Sequence, residues 1–177
     1  MPIELRDTKF ADAKLLLPLV HRDERGFFKQ TFSARHYAAA GITDTFLEDS
    51  VSFSKKNTLR GLHFDPRLAK LVQVLHGRAF DVIVDIRRSS PTYGMWQGFE
   101  LSESNHVQLY VPKCFAHGFL ALSDHVVFSY KQTEHYDPGS EGQVLWSDPA
   151  IGIAWPLDGE PFISKKDRQA PLLADIG

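Results

Sequence analysis

The sequence contains little that would serve secretion, membrane insertion or nucleic-acid binding. Its 177 residues include one cysteine, Cys114, which cannot form a disulfide within the chain, and the charged N-terminus lacks the apolar segment of a signal peptide. The apolar run at 15–20 is interrupted by Pro18 and is far shorter than the roughly 18 residues of a membrane span. Twenty Lys and Arg residues stand against 22 Asp and Glu residues, without a basic cluster. We therefore expect a cytoplasmic protein that binds neither membranes nor nucleic acids.

Common catalytic and metal-binding motifs are missing as well. The chain has no CxxC, HExxH or HxH pattern, so no metal site is expected. It also lacks the GxSxG motif of serine hydrolases and a glycine-rich phosphate loop. The remaining chemistry-bearing residues are His, Tyr, Lys, Arg and Asp. These residue types suit proton transfer next to a carbonyl group without a cofactor.

Short apolar or alternating segments follow one another from Leu71 onward and predict an antiparallel β-sandwich or barrel. The segments are LVQVL, AFDVIVDI, MWQGFEL, HVQLYV and HVVFSYKQ, separated by turn residues. Helix is predicted only at 33–41, with Ser33 as N-cap and Gly41 as the stop, and in the last dozen residues. We expect a single domain over 1–177, with the proline-rich segment after 138 wrapped on its body.

Ionisable residues occur inside several predicted strands. Asp81 and Asp85 alternate with apolar residues, and for an isolated strand such a carboxylate face most often points to solvent. His63, Lys70 and Tyr130 lie in or beside other strands, so a polar cavity inside a barrel is the competing interpretation. Taken singly, His63 and His117 are more often structural than catalytic. The remaining histidines are expected at the surface: His21, His36, His76, His106, His125 and His135.

Six motifs together resemble the dTDP-4-dehydrorhamnose 3,5-epimerase family. They are RGLHF at 60–64, KLV at 70–72, FDVIVDIR at 80–87, SPTYG at 90–94, FAHGF at 115–119 and GIAWP at 152–156, and the resemblance spans 25–171. It implies a mainly β, cupin-type antiparallel jelly roll with one or two short helices. It also implies a homodimer with exchanged N-terminal strands and a metal-free, cofactor-independent site inside the barrel.

The resemblance implies an isomerase that inverts C3, C5 or both in a nucleotide-linked 4-keto-6-deoxy sugar. Protons at these carbons are acidic because the C4 ketone can take up the charge as an enolate. By resemblance, His63 is the base, Asp167 its partner and Lys70 the cation at the enolate oxygen. Tyr130 is the acid on the opposite face. His117 and Asp81 resemble a second His-Asp pair that supports the cavity.

The resemblance also implies a nucleotide-binding set, in which this chain departs from the family. Arg25 matches the arginine that meets the diphosphate, Tyr136 matches the aromatic that stacks near the base, and Arg60 lies close to sugar or phosphate. Four positions differ from the common family residue: Gln30 replaces Glu, Glu48 replaces Gln, Ser50 replaces Asn and Cys114 replaces Gly. We therefore expect a dTDP-linked sugar first, with a GDP- or CDP-linked sugar as an alternative. A metal-dependent cupin enzyme and a non-catalytic sugar-nucleotide-binding jelly roll are rival hypotheses for the same sequence.

Overall fold

Strands dominate residues 3–176, the part of the chain that the computed structural model describes. Within it, the strands are β1 (Glu4–Arg6), β2 (Lys14–Leu17), β3 (Val20–Asp23), β4 (Gly26–Lys29), β5 (Glu48–Lys55), β6 (Leu59–Phe64), β7 (Lys70–His76), β8 (Arg78–Asp85), β9 (Trp96–Ser102), β10 (Gln108–Val111), β11 (Phe115–Ala121), β12 (His125–Gln132) and β13 (Gly142–Gln143). The helices are α1 (Ala34–Ala39), α2 (Lys165–Arg168) and a 3-10 turn at Leu173–Asp175.

Two antiparallel sheets face each other and form a jelly roll. One has the order β1-β2-β10-β7-β12-β5 and the other β13-β6-β11-β8-β9. Apolar side chains from both sheets meet in one core, where the rings of Phe119 and Phe128 stack with centroids 4.2 Å apart. The prediction of a mainly β, antiparallel jelly roll is confirmed, and the five predicted strand segments correspond to β7, β8, β9, β10 and β12.

Strand β8 is buried on both of its faces. Ile83 points into the core between the sheets, whereas Val82 and Val84 pack on the other side against Leu173 and other residues of the C-terminal segment. Burying both faces removes the solvent side on which a charged row would normally stand. Asp81 and Asp85 are accordingly 0% exposed, and the solvent-face interpretation of this strand is wrong.

The helices are fewer and shorter than the strands, as the sequence predicts. Helix α1 begins after Ser33, whose side chain makes no capping hydrogen bond, and the chain turns away at Gly41 with φ +80°. The predicted C-terminal helix is divided into α2 and the 3-10 turn. No helix within residues 3–176 has the length and apolar character needed to cross a membrane.

Strands β3 and β4 form a hairpin that belongs to neither large sheet. Phe27 and Phe28 on this hairpin are exposed, at 54% and 67%. His106 lies beneath the hairpin, where it accepts a hydrogen bond from Arg22 at 2.9 Å and packs against the Phe27 ring. Its side chain is buried, so the prediction that His106 lies at the surface is wrong. The hairpin therefore packs on His106, while more than half of the surface of its two phenylalanines is exposed.

Candidate active site

One open cavity of about 490 Å³ lies between the two sheets and collects most of the polar residues predicted from the sequence. It is lined by Glu48, Ser50, Ser52, Arg60, His63, Lys70, Tyr130, Gln132, Tyr136, Glu141, Ser164, Lys166 and Asp167. Cavities of about 430 and 500 Å³ occur elsewhere on the surface, and ion pairs lie in both, Arg87 with Asp12 in the first and Lys56 with Asp158 in the second. The cavity between the sheets is the candidate active site.

His63 and Asp167 form a short hydrogen-bonded pair at the cavity wall. His63 projects from β6, and its Nε2 lies 2.6 Å from Asp167 Oδ1. The opposite nitrogen, Nδ1, lies 4.0 Å from Glu141 Oε1. A carboxylate bound to one imidazole nitrogen directs the lone pair to the other, as in serine protease triads. Nδ1 is therefore the nitrogen available to take a proton from a bound molecule.

Asp167 is buried and held from several sides. Its backbone N–H donates to Ser164 Oγ at 3.0 Å, at the N-cap of α2. Its carboxylate accepts from Gln143 Nε2 at 3.2 Å and, at 3.4 Å, from the backbone N–H of Gly61. Burial acts to raise the pKa of Asp167, but the hydrogen bonds, chiefly with His63, outweigh it and lower that pKa below its usual value. Asp167 is thus an ionised partner for His63.

Lys70 begins β7 and lies in the cavity wall of the other sheet. Among the described residues its ammonium makes no hydrogen bond or ion pair. Burial lowers the pKa of Lys70, while the more distant carboxylates of Glu141, Asp81 and Asp65 act in the opposite direction. The ammonium group is therefore left with free donors for a bound oxygen.

Tyr130 lies on β12, the neighbour of β7 in the six-stranded sheet. Its hydroxyl is 3.2 Å from Ser52 Oγ, and its ring packs on Phe128 with centroids 4.9 Å apart. Burial raises the pKa of Tyr130 to about 12, with Ser52 and Arg60 acting against the rise. Tyr130 is consequently a protonated phenol at neutral pH, placed on the sheet opposite His63.

His117 and Asp81 form a second pair behind the cavity and do not line it. His117 is the β11 residue paired with His63 in the sheet register, and its Nε2 lies 2.9 Å from Asp81 Oδ2. Burial raises the pKa of Asp81, and His117 and Lys70 oppose the rise. Within the described residues, Asp81 Oδ1 has no hydrogen-bond partner. The expected second His-Asp pair is therefore present as a buried support for the wall.

Arg60, Glu141 and Lys166 supply further charge at the cavity. Arg60 is held by hydrogen bonds from its Nε to Ser54 Oγ and from its Nη2 to the Phe53 carbonyl, both at 3.0 Å. Lys166 donates a hydrogen bond to Glu141. Neither Glu141 nor Lys166 is predicted from the sequence, because no local motif surrounds either of them.

The predicted nucleotide-binding residues divide into two groups. Glu48, Ser50 and Tyr136 line the cavity, whereas Arg25 and Gln30 do not. Arg25 lies in the β3–β4 hairpin and pairs with Asp23 at 2.6 Å. Gln30 Oε1 is 2.9 Å from the Nδ1 atom of a histidine in α1. Within one chain, Arg25 and Gln30 are thus separated from the residues they were expected to join.

Glu48 is occupied by contacts within the protein. Its Oε1 accepts from Gln132 Nε2 at 3.1 Å, and its Oε2 accepts from the Tyr136 backbone N–H at 3.3 Å. His135 Nδ1 lies 3.6 Å from the same Oε2. Glu48 therefore connects β5 to the loop that carries Tyr136.

The arrangement suits proton transfer at a carbon next to a ketone. A general base and a general acid must lie within reach of opposite faces of the reacting carbon to invert it. His63 and Tyr130 lie on facing sheets, and Lys70 places a cation in the same cavity, a group suited to stabilise negative charge on an oxygen. In the described part of the chain, no group of three His, Cys, Asp or Glu side chains is arranged to hold a metal ion.

Comparisons with known proteins agree with this geometry. Residues 7–175 match the dTDP-4-dehydrorhamnose 3,5-epimerase family. The enzyme of that name from Salmonella typhimurium is 48% identical over 170 residues, which cover 94% of this chain and 93% of that protein.

Solved structures show the same likeness. The dTDP-6-deoxy-D-glucose-3,5-epimerase of Legionella pneumophila, in complex with dTDP-4-keto-L-rhamnose, has a TM-score of 0.96 and 44% identity, covering 99% of this chain and 95% of that one. A 3'-monoepimerase of Streptomyces bikiniensis in complex with dTDP-quinovose has a TM-score of 0.90 and 31% identity, covering 94% of this chain and 86% of that one.

Proposed function

Because this chain belongs to the dTDP-4-dehydrorhamnose 3,5-epimerase family, and is therefore an isomerase of nucleotide-linked 4-keto-6-deoxy sugars, we propose that the cavity between its sheets inverts C3 and C5 through an enolate. The relatives at 40–48% identity carry the 3,5-epimerase name, and the single-centre enzyme is more distant at 31%. This difference favours inversion at both carbons. The proposed substrate is the dTDP-linked sugar.

His63 removes the proton in the proposed mechanism. Its Nδ1 takes the proton from C3 or C5, and the electron pair of the broken C–H bond moves into the C4 carbonyl to form the enolate. Asp167, 2.6 Å from Nε2, stabilises the imidazolium that results. The Lys70 ammonium donates to the enolate oxygen, where charge develops.

Tyr130 returns a proton in the second half of the step. Its hydroxyl proton goes to the same carbon from the opposite face, the C4 carbonyl re-forms, and the configuration of that carbon is inverted. The steps move only protons, so they balance without an oxidant or a reductant. The observation that carries the proposal is the placement of His63 and Tyr130 on opposite walls of one cavity, with Lys70 beside them.

Solvent deuterium incorporation tests this assignment. In deuterated water, the wild-type protein should introduce deuterium at C3 and C5 of dTDP-4-keto-6-deoxyglucose, as followed by ¹H NMR. His63→Ala should lower exchange at both carbons by about 10² to 10⁴, the usual contribution of a general base. His76→Ala is the matched control, because His76 lies on the exposed surface and pairs with Glu103. Near wild-type exchange in His63→Ala would remove this histidine from the mechanism.

We further propose that the active form is a homodimer in which Arg25 serves the cavity of the partner. Arg25 lies outside its own cavity, and the hairpin that carries it exposes Phe27 and Phe28. Mixing tests this arrangement, because Arg25→Ala and His63→Ala chains would form mixed dimers with one intact site each. Refolding equal amounts should restore about a quarter of the wild-type sites. No recovery would contradict the exchange of hairpins.

The nucleotide is proposed to extend along the cavity rim. Arg60 and Lys166 offer cationic donors for the diphosphate. Tyr136 offers an exposed ring for stacking on the base, held in place through Glu48. A cytoplasmic location is part of the same proposal, on the ground of the single cysteine.

A further inference from the structure

Gln143 lies directly opposite His63 in the five-stranded sheet. β13 pairs with β6 in the register Gly142 with Phe64 and Gln143 with His63. Residues directly opposite on antiparallel strands place their side chains on the same face, within contact distance of each other. The Gln143 side chain therefore approaches the carboxylate that His63 uses, and its Nε2 reaches Asp167 Oδ1 at 3.2 Å.

The close approach of β13 depends on Gly142. A Cβ atom at this position would lie 2.1 Å from Cζ of Phe64, closer than packed atoms can come. With glycine there, the short strand lies against β6, and the backbone of Val144 exchanges hydrogen bonds with Leu62 at 3.0 and 3.3 Å. The glycine at position 142 thus allows β13 to place Gln143 next to His63.

Asp167 Oδ1 accepts two hydrogen bonds at once. The His63 imidazole lies at 2.6 Å and the Gln143 amide at 3.2 Å from this oxygen. A hydrogen bond to a carboxylate stabilises its negative charge and reduces the attraction it exerts on a neighbouring cation. Gln143 does not line the cavity, so it influences the reaction only through Asp167.

We propose that Gln143 is a positioning residue that shares Asp167 Oδ1 with His63, and that it thereby limits how strongly Asp167 holds the His63 imidazolium. The inference rests on the proposed function in one respect, the use of His63 as the base. The sharing also fixes which carboxylate oxygen faces the imidazole.

Several more charged and titratable groups face the pair and are unchanged by substitution at 143. They are Arg60 on β6, His117 on β11 with Asp81 behind it, Glu141 before β13, Lys166 on α2, and Lys70 and Tyr130 across the cavity. A shift caused by Gln143 must therefore be measured against the wild-type protein under the same conditions.

The test is the pH dependence of Gln143→Met. Methionine has a similar length but no donor, so the Asp167 charge acts more fully on His63 and the imidazolium is favoured. The acidic limb of kcat/KM should move to higher pH by about half a unit, which is about a three-fold loss at a fixed pH on that limb. The plateau at higher pH should change less than the limb.

Two further variants guard against a purely structural effect. Gln143→Asn keeps an amide but is one methylene shorter, so the amide no longer reaches Asp167 and the acidic limb should shift as it does with methionine. If Gln143→Met does not fold, Gln143→Asn decides the question. Gln97→Met makes the same chemical change at a side chain that accepts from the Lys9 backbone N–H and does not line the cavity, and its limb should not move. A uniform loss at every pH, or no shift in either Gln143 variant, would overturn the proposal.

A second measurement separates this inference from the catalytic assignment. The His63 ring can be titrated by ¹⁵N NMR in the free protein, which requires no turnover. A higher midpoint in Gln143→Met with an unmoved kinetic limb would support the shared hydrogen bond and contradict His63 as the base. An unchanged midpoint in both Gln143 variants would overturn the inference, whatever the kinetics show.

Discussion

Asp167→Asn exchanges one carboxylate oxygen for an amide nitrogen, and its effect depends on whether the oxygen or the nitrogen of the new amide faces His63. If the carbonyl takes the place of Oδ1, it still accepts from His63 and Gln143. If the amide nitrogen takes that place, it donates to His63 Nε2, and the ring proton must move to Nδ1. The second arrangement removes the lone pair that takes the substrate proton.

Two existing donors compete to set this orientation. Gln143 Nε2 lies 3.2 Å from Oδ1 and favours the carbonyl there, whereas the Gly61 backbone N–H lies 3.4 Å from Oδ2 and favours the reverse. The shorter contact should prevail, so the imidazole keeps its productive tautomer. Folding should survive, because the Asp167 backbone still caps α2 through Ser164.

The expected loss follows from the change in hydrogen-bond strength. A hydrogen bond to a charged group contributes about 1.5 to 3 kcal/mol and a neutral one about 0.5 to 1.5. The difference, about 1 to 1.5 kcal/mol, corresponds to a loss of about 5- to 13-fold in kcat/KM. The reversed orientation would instead cost about 10⁴-fold, as for the equivalent change in a serine protease triad.

The assay is deuterium exchange at C3 and C5, with thermal unfolding as the measure of folding. Asp167→Asn alone should fall in the lower range, and the double variant with Gln143→Met should fall further, toward the larger figure, because the orienting donor is gone. A folded single variant that loses 10⁴-fold, or less than two-fold, would refute the reasoning. An unfolded one would make Asp167 a structural carboxylate.

Three more outcomes are expected. Burial lowers the pKa of Lys70 below its ordinary 10.5, so kcat/KM should decline at a pH below 10.5 as the ammonium loses its proton. Lys70→Met should remove most activity, and a decline that begins only above pH 10.5 would contradict the assignment. Tyr130→Phe should fold and still exchange deuterium, but net inversion followed by NMR should be slower. Inversion at C5 at the wild-type rate would show that Tyr130 only packs against its neighbours. In calorimetry dTDP should bind more tightly than GDP, CDP or UDP, and equal affinities for the four nucleotides would show that the protein does not discriminate between bases. Glu48→Ala should weaken the binding of dTDP about ten-fold and leave kcat unchanged.

Sequence alternation predicts those strands whose apolar side faces the core. β8 closely matches the predicted boundaries, but both of its faces are buried. β12 follows the rule, and its boundaries agree closely with the predicted segment. β5 reverses it, because Ser50 and Ser52 face the polar cavity while Val51 and Phe53 are exposed. A strand that lines a polar site is therefore hard to identify by its hydrophobic face.

The site itself was predictable where residues lie in compact motifs. His63, Lys70 and Tyr130 came from recognisable strand segments and meet in one cavity. Glu141 reaches the cavity and Gln143 reaches Asp167 because the chain after β12 folds back onto β6, a long-range contact that no local pattern encodes. Arg25 has a recognisable local motif as well, but it lies outside the cavity of its own chain.

The hydrogen bond between Tyr130 and Ser52 offers a path by which Tyr130 can regain a proton between two inversions. In the proposed mechanism, one inversion leaves an additional proton on His63 and removes one from Tyr130. With a pKa of about 12, the Tyr130 phenolate regains a proton readily from water, and the Ser52 hydroxyl is placed to pass it on. Each carbon should therefore receive a hydrogen from solvent and none from its own earlier C–H bond, and the protein must reset twice when both centres are inverted.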